Sequence, residues 1–157
     1  MSATPQEEPL LDAVGMAFAR LRRRTMQAPV DGPVGRKDLT RNLVLNIVDE
    51  AAEAGREITI GALADHLMVD ASVASRMATD CISNGYLVRA ASQLDGRRTV
   101  LQLTGEGVAL LALFRHQQRQ AFEHITRDWP RAERLEFARL LLKYADATAR
   151  LPAPDAS

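Results

Sequence analysis

A group of polar side chains in the middle of the chain has the types and spacing to bind DNA bases or phosphates. Within residues 71–84, Ser72, Ser75, Arg76 and Thr79 fall on one side of a predicted helix. Arg76 is the only cation of that segment, and a guanidinium can donate two parallel hydrogen bonds to a guanine or a phosphate. The short hydroxyl groups suit base edges or phosphates. The alternative is an ordinary amphipathic surface helix whose polar face is simply hydrated.

A second group of charges, Asp95, Arg97 and Arg98 with Gly96 between them, lies between two segments with strand character. An Arg on a protruding loop can lie in the narrow, electronegative minor groove of DNA. We expect Asp95 to pair with the guanidinium of Arg97 and so to orient it. In the alternative, Asp and Gly serve only the backbone turn. Thr59 is a further candidate, for a phosphate contact.

The other reactive side chains form no catalytic or metal-binding pattern. His116 and His124 are eight residues apart, which is too far for them to share an ion on one helix. Cys81 falls on the apolar side of its predicted helix, so we expect a buried, structural thiol. The sequence contains no glycine-rich phosphate loop, nucleophile elbow or zinc-protease motif. We therefore expect a protein that is not an enzyme and that uses no metal and no cofactor.

Hydrophobic periodicity predicts the elements that would position these side chains. Helices are expected at residues 9–28, 37–54, 60–67, 71–84, 104–127 and 131–150, and strands at 86–90 and 98–103. Thr59, Asp70 and Thr104 are expected to cap the helices that they precede. A short helix, a tight turn and a second helix form the helix-turn-helix pattern, in which the second helix enters the major groove.

Apolar residues at four-residue spacing define the expected inward faces of two helices. On the helix at 71–84 these residues are Val73, Met77 and Cys81, with Ala74 as a further candidate. On the helix at 37–54 they are Leu39, Leu43, Ile47 and Ala51. These faces predict how the two helices pack against the core.

The composition is that of one domain with a hydrophobic core. The 157 residues are 46% hydrophobic and 25% charged, which is typical of a globular protein. Twenty basic and twenty acidic residues give a net charge of zero. The zero net charge argues against a protein that coats polyanions non-specifically, and it leaves room for local basic patches that bind DNA. The single cysteine excludes an internal disulfide, and the polar N-terminus with no long apolar run predicts a soluble, cytoplasmic protein.

Three stretches of the chain form a specific set: ITIGALADHL, DASVASRMATDCISNGYLVR and LDGRRTVLQLTGEG. Together they resemble the MarR family of winged-helix regulators. In the wing, that family has Asp-Arg-Arg, then a strand that ends in Leu-Thr, then a Gly three residues later. The positions that match are Asp95, Arg97, Leu103, Thr104 and Gly107. Gly96 departs from the pattern, because it stands where the first wing Arg of the family usually lies.

The resemblance implies a mainly α-helical fold with a small β-hairpin: a winged helix-turn-helix of about six helices in an intertwined homodimer. The implied regions are a disordered tail (1–8), an N-terminal dimerisation helix and loop (9–35), a winged helix-turn-helix DNA-binding lobe (36–104), C-terminal dimerisation helices (105–151) and a second disordered tail (152–157). The residues agree with this division. A core of about 50 residues is marginal by itself, and a two-fold dimer is the commonest solution.

The expected function is therefore a sequence-specific, double-stranded DNA-binding transcriptional regulator, acting as a repressor on a palindromic operator. The resemblance also implies a small aromatic or phenolic effector. Its candidate pocket walls are Met16, Phe18, Leu43, Ile47, Phe114 and Arg115. The alternative, which the residues favour for each of them, is simple core, because apolar stripes at helical spacing are usually core. The alternative is a winged-helix module that binds protein and has no specific DNA target, which the zero net charge favours.

Overall fold

The computed structural model describes residues 7–27 and 36–150, which form six helices and a two-stranded hairpin. Their order is α1 (Glu8–Gln27), α2 (Arg36–Glu53), α3 (Ile60–Leu67), α4 (Ala71–Ser83), β1 (Leu87–Ala91), β2 (Thr99–Leu103), α5 (Gly105–Ile125) and α6 (Arg131–Thr148). The predicted mainly helical fold is confirmed, with element ends within two residues of those expected.

The expected tails lie outside the described residues, except at Glu7 and Glu8, where Glu8 begins α1. The loop expected at 29–35 also lies outside them. None of the described helices combines the length and apolar composition that a membrane span requires.

The core lies among α2, α3, α4, the hairpin and the first half of α5. Its buried side chains are Val44, Leu45, Val48, Ala51, Ile58, Leu63, Ala64, Ala74, Ala78, Cys81, Leu87, Leu101 and Leu111. None of the described residues of α1 or α6 belongs to this cluster. The helix-turn-helix and the hairpin therefore share one core, and the terminal helices stand outside it.

The buried face of α2 differs from the predicted four-residue stripe. Leu39 and Leu43 are exposed, whereas Val44, Leu45 and Val48 are buried. A strict four-residue repeat advances about 40° around a helix of 3.6 residues per turn at each step. Only the last two residues of the predicted stripe therefore face the core: Ile47 is half-buried and Ala51 is buried. Leu39 and Leu43 add to the exposed apolar surface of the chain.

The buried face of α4 agrees with the prediction at Ala74 and Cys81 and differs from it at Val73 and Met77. Ala74, Ala78 and Cys81 are completely buried, whereas Val73 and Met77 are only half-buried. Alanine has no side chain beyond Cβ, so these positions let α4 approach its neighbours closely. The prediction favoured the larger side chains because it weighted residue size above helical phase.

Two threonines cap helices as predicted, and one aspartate does not. The Thr59 hydroxyl accepts a hydrogen bond from the Ala62 backbone N–H at 3.2 Å, and the Thr104 hydroxyl accepts one from Gly107 at 3.0 Å. Asp70 stands at the start of α4 in an extended conformation but forms no side-chain cap. Its backbone carbonyl accepts the N–H groups of the first turn instead, including that of Val73 at 2.9 Å.

The turn between α3 and α4 depends on a left-handed residue. Met68 has φ 52° and ψ 47°, a region that L-residues other than glycine seldom adopt. Its N–H and that of Val69 both donate to carbonyls in the last turn of α3, which ends that helix as a C-terminal cap does. Only three residues then separate α3 from α4, as a helix-turn-helix requires.

The hairpin pairs β1 with β2 in an antiparallel register from Leu87↔Leu103 to Ala91↔Thr99. Ile58 adds a single bridge to the outer side of β2, where its carbonyl accepts the N–H of Leu101 at 2.8 Å. This bridge connects the chain before α3 to the hairpin through one backbone hydrogen bond.

The base of the hairpin is closed where α5 begins. The Thr104 hydroxyl donates to the carbonyl of Gly85 at 2.5 Å, and the Thr104 N–H donates to that of Tyr86 at 3.1 Å. Gly107 packs against the residue that precedes β1: a Cβ at position 107 would lie 2.2 Å from the backbone carbonyl oxygen of Tyr86. The wing is thereby fixed to α5, and a glycine is required at the contact.

The terminal helices carry large apolar side chains that a single chain leaves exposed. The most exposed are Leu10, Leu11, Met16, Leu21, Ile125, Leu135 and Leu142. Aromatic contacts join these helices to each other: Phe18 stacks on Tyr144 at 5.3 Å, and Phe122 stacks on Phe137 at 6.2 Å. Large apolar side chains that lie exposed on neighbouring helices are typical of an interaction surface.

We expect Gly107→Ala to destabilise the fold by about 1–3 kcal/mol, because the new methyl must displace backbone rather than a flexible side chain. Chemical denaturation measures this loss. The matched control is Gly105→Ala, two residues earlier on the same helix, where an added Cβ meets no atom within 4 Å. Equal stability of the two variants would contradict the close contact at Tyr86.

Candidate nucleic-acid interface

The outer face of α4 presents the polar group that the sequence predicted. Ser72, Arg76 and Thr79 are exposed, and Ser75 is half-buried. The side chain of Arg76 forms no ion pair with any described residue, so its donors are available to a ligand. The α3–α4 turn and the alanine face together fix which side of α4 points outward.

The wing loop between β1 and β2 is a structured turn. Ser92 is buried, and its hydroxyl accepts the backbone N–H groups of Leu94 at 3.1 Å and Asp95 at 3.0 Å. The N–H of Ser92 donates to the carbonyl of Arg98 at 2.9 Å, and the N–H of Arg98 donates back to that of Asp95 at 2.9 Å. These bonds hold the loop ends together and leave its tip exposed.

The expected ion pair between Asp95 and the guanidinium of Arg97 is not formed within the described part of the chain. The Asp95 carboxylate instead accepts the backbone N–H of Arg97 at 3.1 Å. A short Asp side chain satisfies a nearby backbone donor more easily than it reaches a distant guanidinium. Arg97 and Arg98 are therefore exposed cations that form no ion pair with a carboxylate of the described residues.

Glu57 anchors the wing to the chain before α3, a role that the sequence reasoning missed. Its carboxylate accepts the Ser92 hydroxyl at 2.5 Å and the Gln93 backbone N–H at 2.7 Å. These two bonds, with a smaller contribution from the charge of Arg98, hold the pKa of Glu57 below its usual range. The wing base is thus held by an ionised carboxylate at neutral pH.

Arg41 on α2 holds α4, and it too was missed. Its Nε donates to Asp80 Oδ2 at 2.6 Å, its Nη2 to Asp80 Oδ1 at 3.2 Å and its Nη1 to Asp38 Oδ1 at 2.9 Å. The guanidinium also lies over the Tyr86 ring, 5.8 Å from its centroid. The sequence feature that could have indicated this ion pair is Asp80, because an acid next to the buried Cys81 lies near the core and needs a cationic partner.

Two other predicted side chains have clear positions. The Thr59 oxygen only accepts in its cap, so its hydroxyl can still donate to a phosphate. Cys81 is completely buried, and burial together with the neighbouring Asp80 raises its thiol pKa to about 11. The predicted structural thiol is confirmed, because a buried thiol with a raised pKa is unreactive.

The candidate pocket residues lie in different environments. Phe114 is buried, Ile47 is half-buried, and Phe18 is exposed. Arg115 donates to Asp49 at 2.5 Å, which joins α5 to α2. A shallow depression of about 410 Å³ on α1 is lined by Met16, Ala19, Arg20 and Arg23. Of the six predicted walls, only Met16 lines this depression. Among the described residues, no three His, Cys, Asp or Glu side chains cluster as metal ligands would.

Comparisons with known proteins relate this arrangement to one family. The MarR family model matches residues 38–98. A MarR family protein from Bacillus stearothermophilus superposes with a TM-score of 0.69 at 14% identity, over 95% of this chain and all of that chain. RV1404 from Mycobacterium tuberculosis gives 0.66 at 21% identity, over 97% and 100%. The S. aureus MepR–DNA complex gives 0.56 at 14% identity, over 85% and 95%.

No curated protein matches the chain by sequence. The family match nevertheless covers the helix-turn-helix and the wing, and the fold similarity extends through the terminal helices. Residues 38–98 thus match the MarR family model, and the chain as a whole has the fold of solved MarR family proteins.

Proposed function

We propose that this chain is a sequence-specific, double-stranded DNA-binding repressor that occupies a palindromic operator as a homodimer in the cytoplasm. The observation that carries the proposal is the exposed polar face of α4, on which Arg76 forms no ion pair with any described residue, together with a wing whose exposed tip carries Arg97 and Arg98. A helix of this kind fits the major groove, which is about 12 Å wide. The wing arginines would lie in the adjacent minor groove.

The solved MepR–DNA complex supports the DNA target, because that protein shares this fold and binds DNA. Zero net charge means that a few guanidinium groups must supply most of the electrostatic attraction. The contacts would be Ser72, Ser75, Arg76 and Thr79 to the major groove, Arg97 and Arg98 to the minor groove, and Thr59 to a phosphate. Asp95 would act through the loop backbone.

The exposed apolar faces of α1, α5 and α6 support the homodimer. A two-fold partner would cover them, since the same patches on two copies can pack against each other. Two α4 helices would then be presented about 34 Å apart, one turn of B-DNA. A repressor of this design acts sterically, by occupying a promoter.

A small aromatic or phenolic effector would release the DNA by changing the distance between the two α4 helices. The α1 depression, with apolar Met16 and the cations Arg20 and Arg23, would suit an anionic aromatic compound. The other predicted walls, Phe18, Leu43, Ile47, Phe114 and Arg115, would contribute only where α1 and the core come together in the dimer.

We expect sedimentation equilibrium to give twice the 17.2 kDa mass of one chain. Dimerisation would bury the apolar side chains of the terminal helices, so the melting temperature should rise with protein concentration. A monomer with a concentration-independent melting temperature would contradict the dimer and, with it, the palindromic operator.

DNA binding is tested by selecting genomic fragments with the purified protein and measuring their affinity across a salt series. Affinity should fall steeply with salt, and Arg76→Ala should cost about 1–3 kcal/mol with relaxed specificity at one base pair. Arg97→Ala should weaken binding and leave the dimer intact. If no fragment binds at low salt, the alternative of a protein-binding winged-helix module takes the place of the repressor.

Gly96 offers a way to strengthen the interface. A Cβ there meets no atom within 4 Å, and its φ lies outside the positive range that favours glycine, so the backbone does not require glycine. Gly96→Arg should therefore bind DNA more tightly and steepen the salt dependence by about 0.9 in log–log slope, as one added phosphate contact does. Gly96→Ala is the control and should bind as the wild type does. An unchanged affinity for Gly96→Arg would show that the wing tip does not touch DNA.

A further inference from the structure

Glu57 lies on the segment directly before α3 and reaches across to the wing loop. Its Oε2 accepts the Ser92 hydroxyl at 2.5 Å, and its Oε1 accepts the Gln93 backbone N–H at 2.7 Å. Both oxygens of the carboxylate are therefore bonded to the wing. The carbonyl of the next residue, Ile58, accepts the N–H of Leu101 in β2 at 2.8 Å, so the backbone beside Glu57 is fixed to the same hairpin.

The Ser92 hydroxyl uses all of its hydrogen-bonding capacity, which is one proton and two lone pairs. The proton goes to Glu57, and the oxygen accepts the backbone N–H groups of Leu94 at 3.1 Å and Asp95 at 3.0 Å. Ser92 is buried, so without the carboxylate its proton would need another acceptor. A hydroxyl that rotates to find one turns its lone pairs away from the loop. Glu57 therefore sets the direction of this hydroxyl.

Asp95 extends the constraint to the tip of the wing. Its carboxylate accepts the backbone N–H of Arg97 at 3.1 Å, and its carbonyl accepts that of Arg98 at 2.9 Å. Hydrogen bonds thus run without a break from Glu57 through Ser92 and Asp95 to the backbone of both wing arginines. The carboxylate thereby fixes where the loop presents these two exposed cations.

Glu57 affects DNA binding in two ways that have opposite signs. Its hydrogen bonds hold its pKa below the usual range, so it is ionised at neutral pH, and a negative charge near DNA repels phosphates. Salt screens that repulsion. Order acts the other way: fixing the backbone of one residue lowers an equilibrium constant about five- to thirtyfold, so a wing loop that DNA must order binds more weakly. We therefore expect the loss of order to outweigh the loss of charge.

We propose that Glu57 is a positioning residue for DNA recognition: through the Ser92 hydroxyl, it holds the wing loop in the conformation that presents the two wing arginines to the minor groove. Glu57 need not touch DNA to do this. Because its segment leads directly into α3, the carboxylate also fixes the wing relative to the helix-turn-helix, so both can reach DNA without a further ordering step. This inference rests on the proposed function, because it assumes that the wing arginines bind DNA.

The test is a double-mutant cycle between Glu57 and the wing arginines, on the DNA fragment that the wild type selects. Glu57→Ala removes both acceptors and should lower affinity about tenfold. The log–log slope of affinity against salt should also become shallower, by about 0.9 for each ionic contact that the wing loses. In the Arg97→Ala/Arg98→Ala background, Glu57→Ala should change affinity less than about twofold, because no wing contact remains to be positioned.

A purely structural role for Glu57 gives a different pattern. If the carboxylate only stabilised the fold, chemical denaturation would show the loss, but the folded protein would keep the wild-type salt slope. Any loss of affinity through unfolding would then be the same in both backgrounds.

Two further variants separate order from charge. Ser92→Ala removes the hydroxyl and leaves every charge in place, so it should lose at least as much affinity as Glu57→Ala, and it can be measured even if that variant does not fold. Glu53→Ala is the matched control. It removes the same charge from the exposed last residue of α2, which forms no ion pair with any described residue, and it should not weaken binding.

The outcomes separate the two proposals. A wild-type protein that binds no DNA overturns the proposed function, and this inference with it. A wild type that binds DNA, together with a Glu57→Ala or Ser92→Ala variant of equal affinity, overturns this inference alone. An equal loss of affinity in both backgrounds of the cycle does the same, because Glu57 would then not act through the wing.

Discussion

The close approach of α5 to the entrance of β1 is the constraint on which the rest of the interface depends. At this point Thr104 bonds to Gly85 and Tyr86, and Gly107 leaves no room for a side chain. The register of the hairpin then follows, and with it the position of the loop that carries Arg97 and Arg98. The ring of Tyr86 also contacts the guanidinium of Arg41, which lies on α2 and binds Asp80 of α4. Tyr86 therefore connects the base of the wing to both helices.

Polar contacts between distant segments give this winged-helix region its geometry. Glu57 ties the chain before α3 to the wing loop, Arg41 ties α2 to α4, and Ile58 adds a backbone bridge to β2. Each contact joins residues separated by more than thirty positions in sequence. The hydrophobic core brings the elements together, and these bonds set the angles at which the candidate DNA-binding groups are presented.

The local features of the fold could be predicted from the sequence, because each depends on neighbouring residues. Thr59 and Thr104 indicated where α3 and α5 begin. The few residues between α3 and α4 indicated a tight turn, and two strand-like segments on either side of Asp95 and Gly96 indicated the wing. The long-range pairs could not be predicted, since no local pattern says that Arg41 meets Asp80 or that Glu57 meets Ser92. The predicted Asp95–Arg97 ion pair was wrong, because the Asp95 carboxylate accepts the backbone N–H of Arg97 instead.

The chain's one thiol lies on the inner side of α4, opposite the face that we propose for DNA. Its sulfur cannot meet solvent while α4 stays packed on the core, and its raised pKa keeps it protonated there. Alkylation of Cys81 would therefore require α4 to open, and in the limit of fast reclosing its rate would follow the opening equilibrium. The natural sequence thus contains a single-site reporter of the local stability of its recognition helix, without any engineered label.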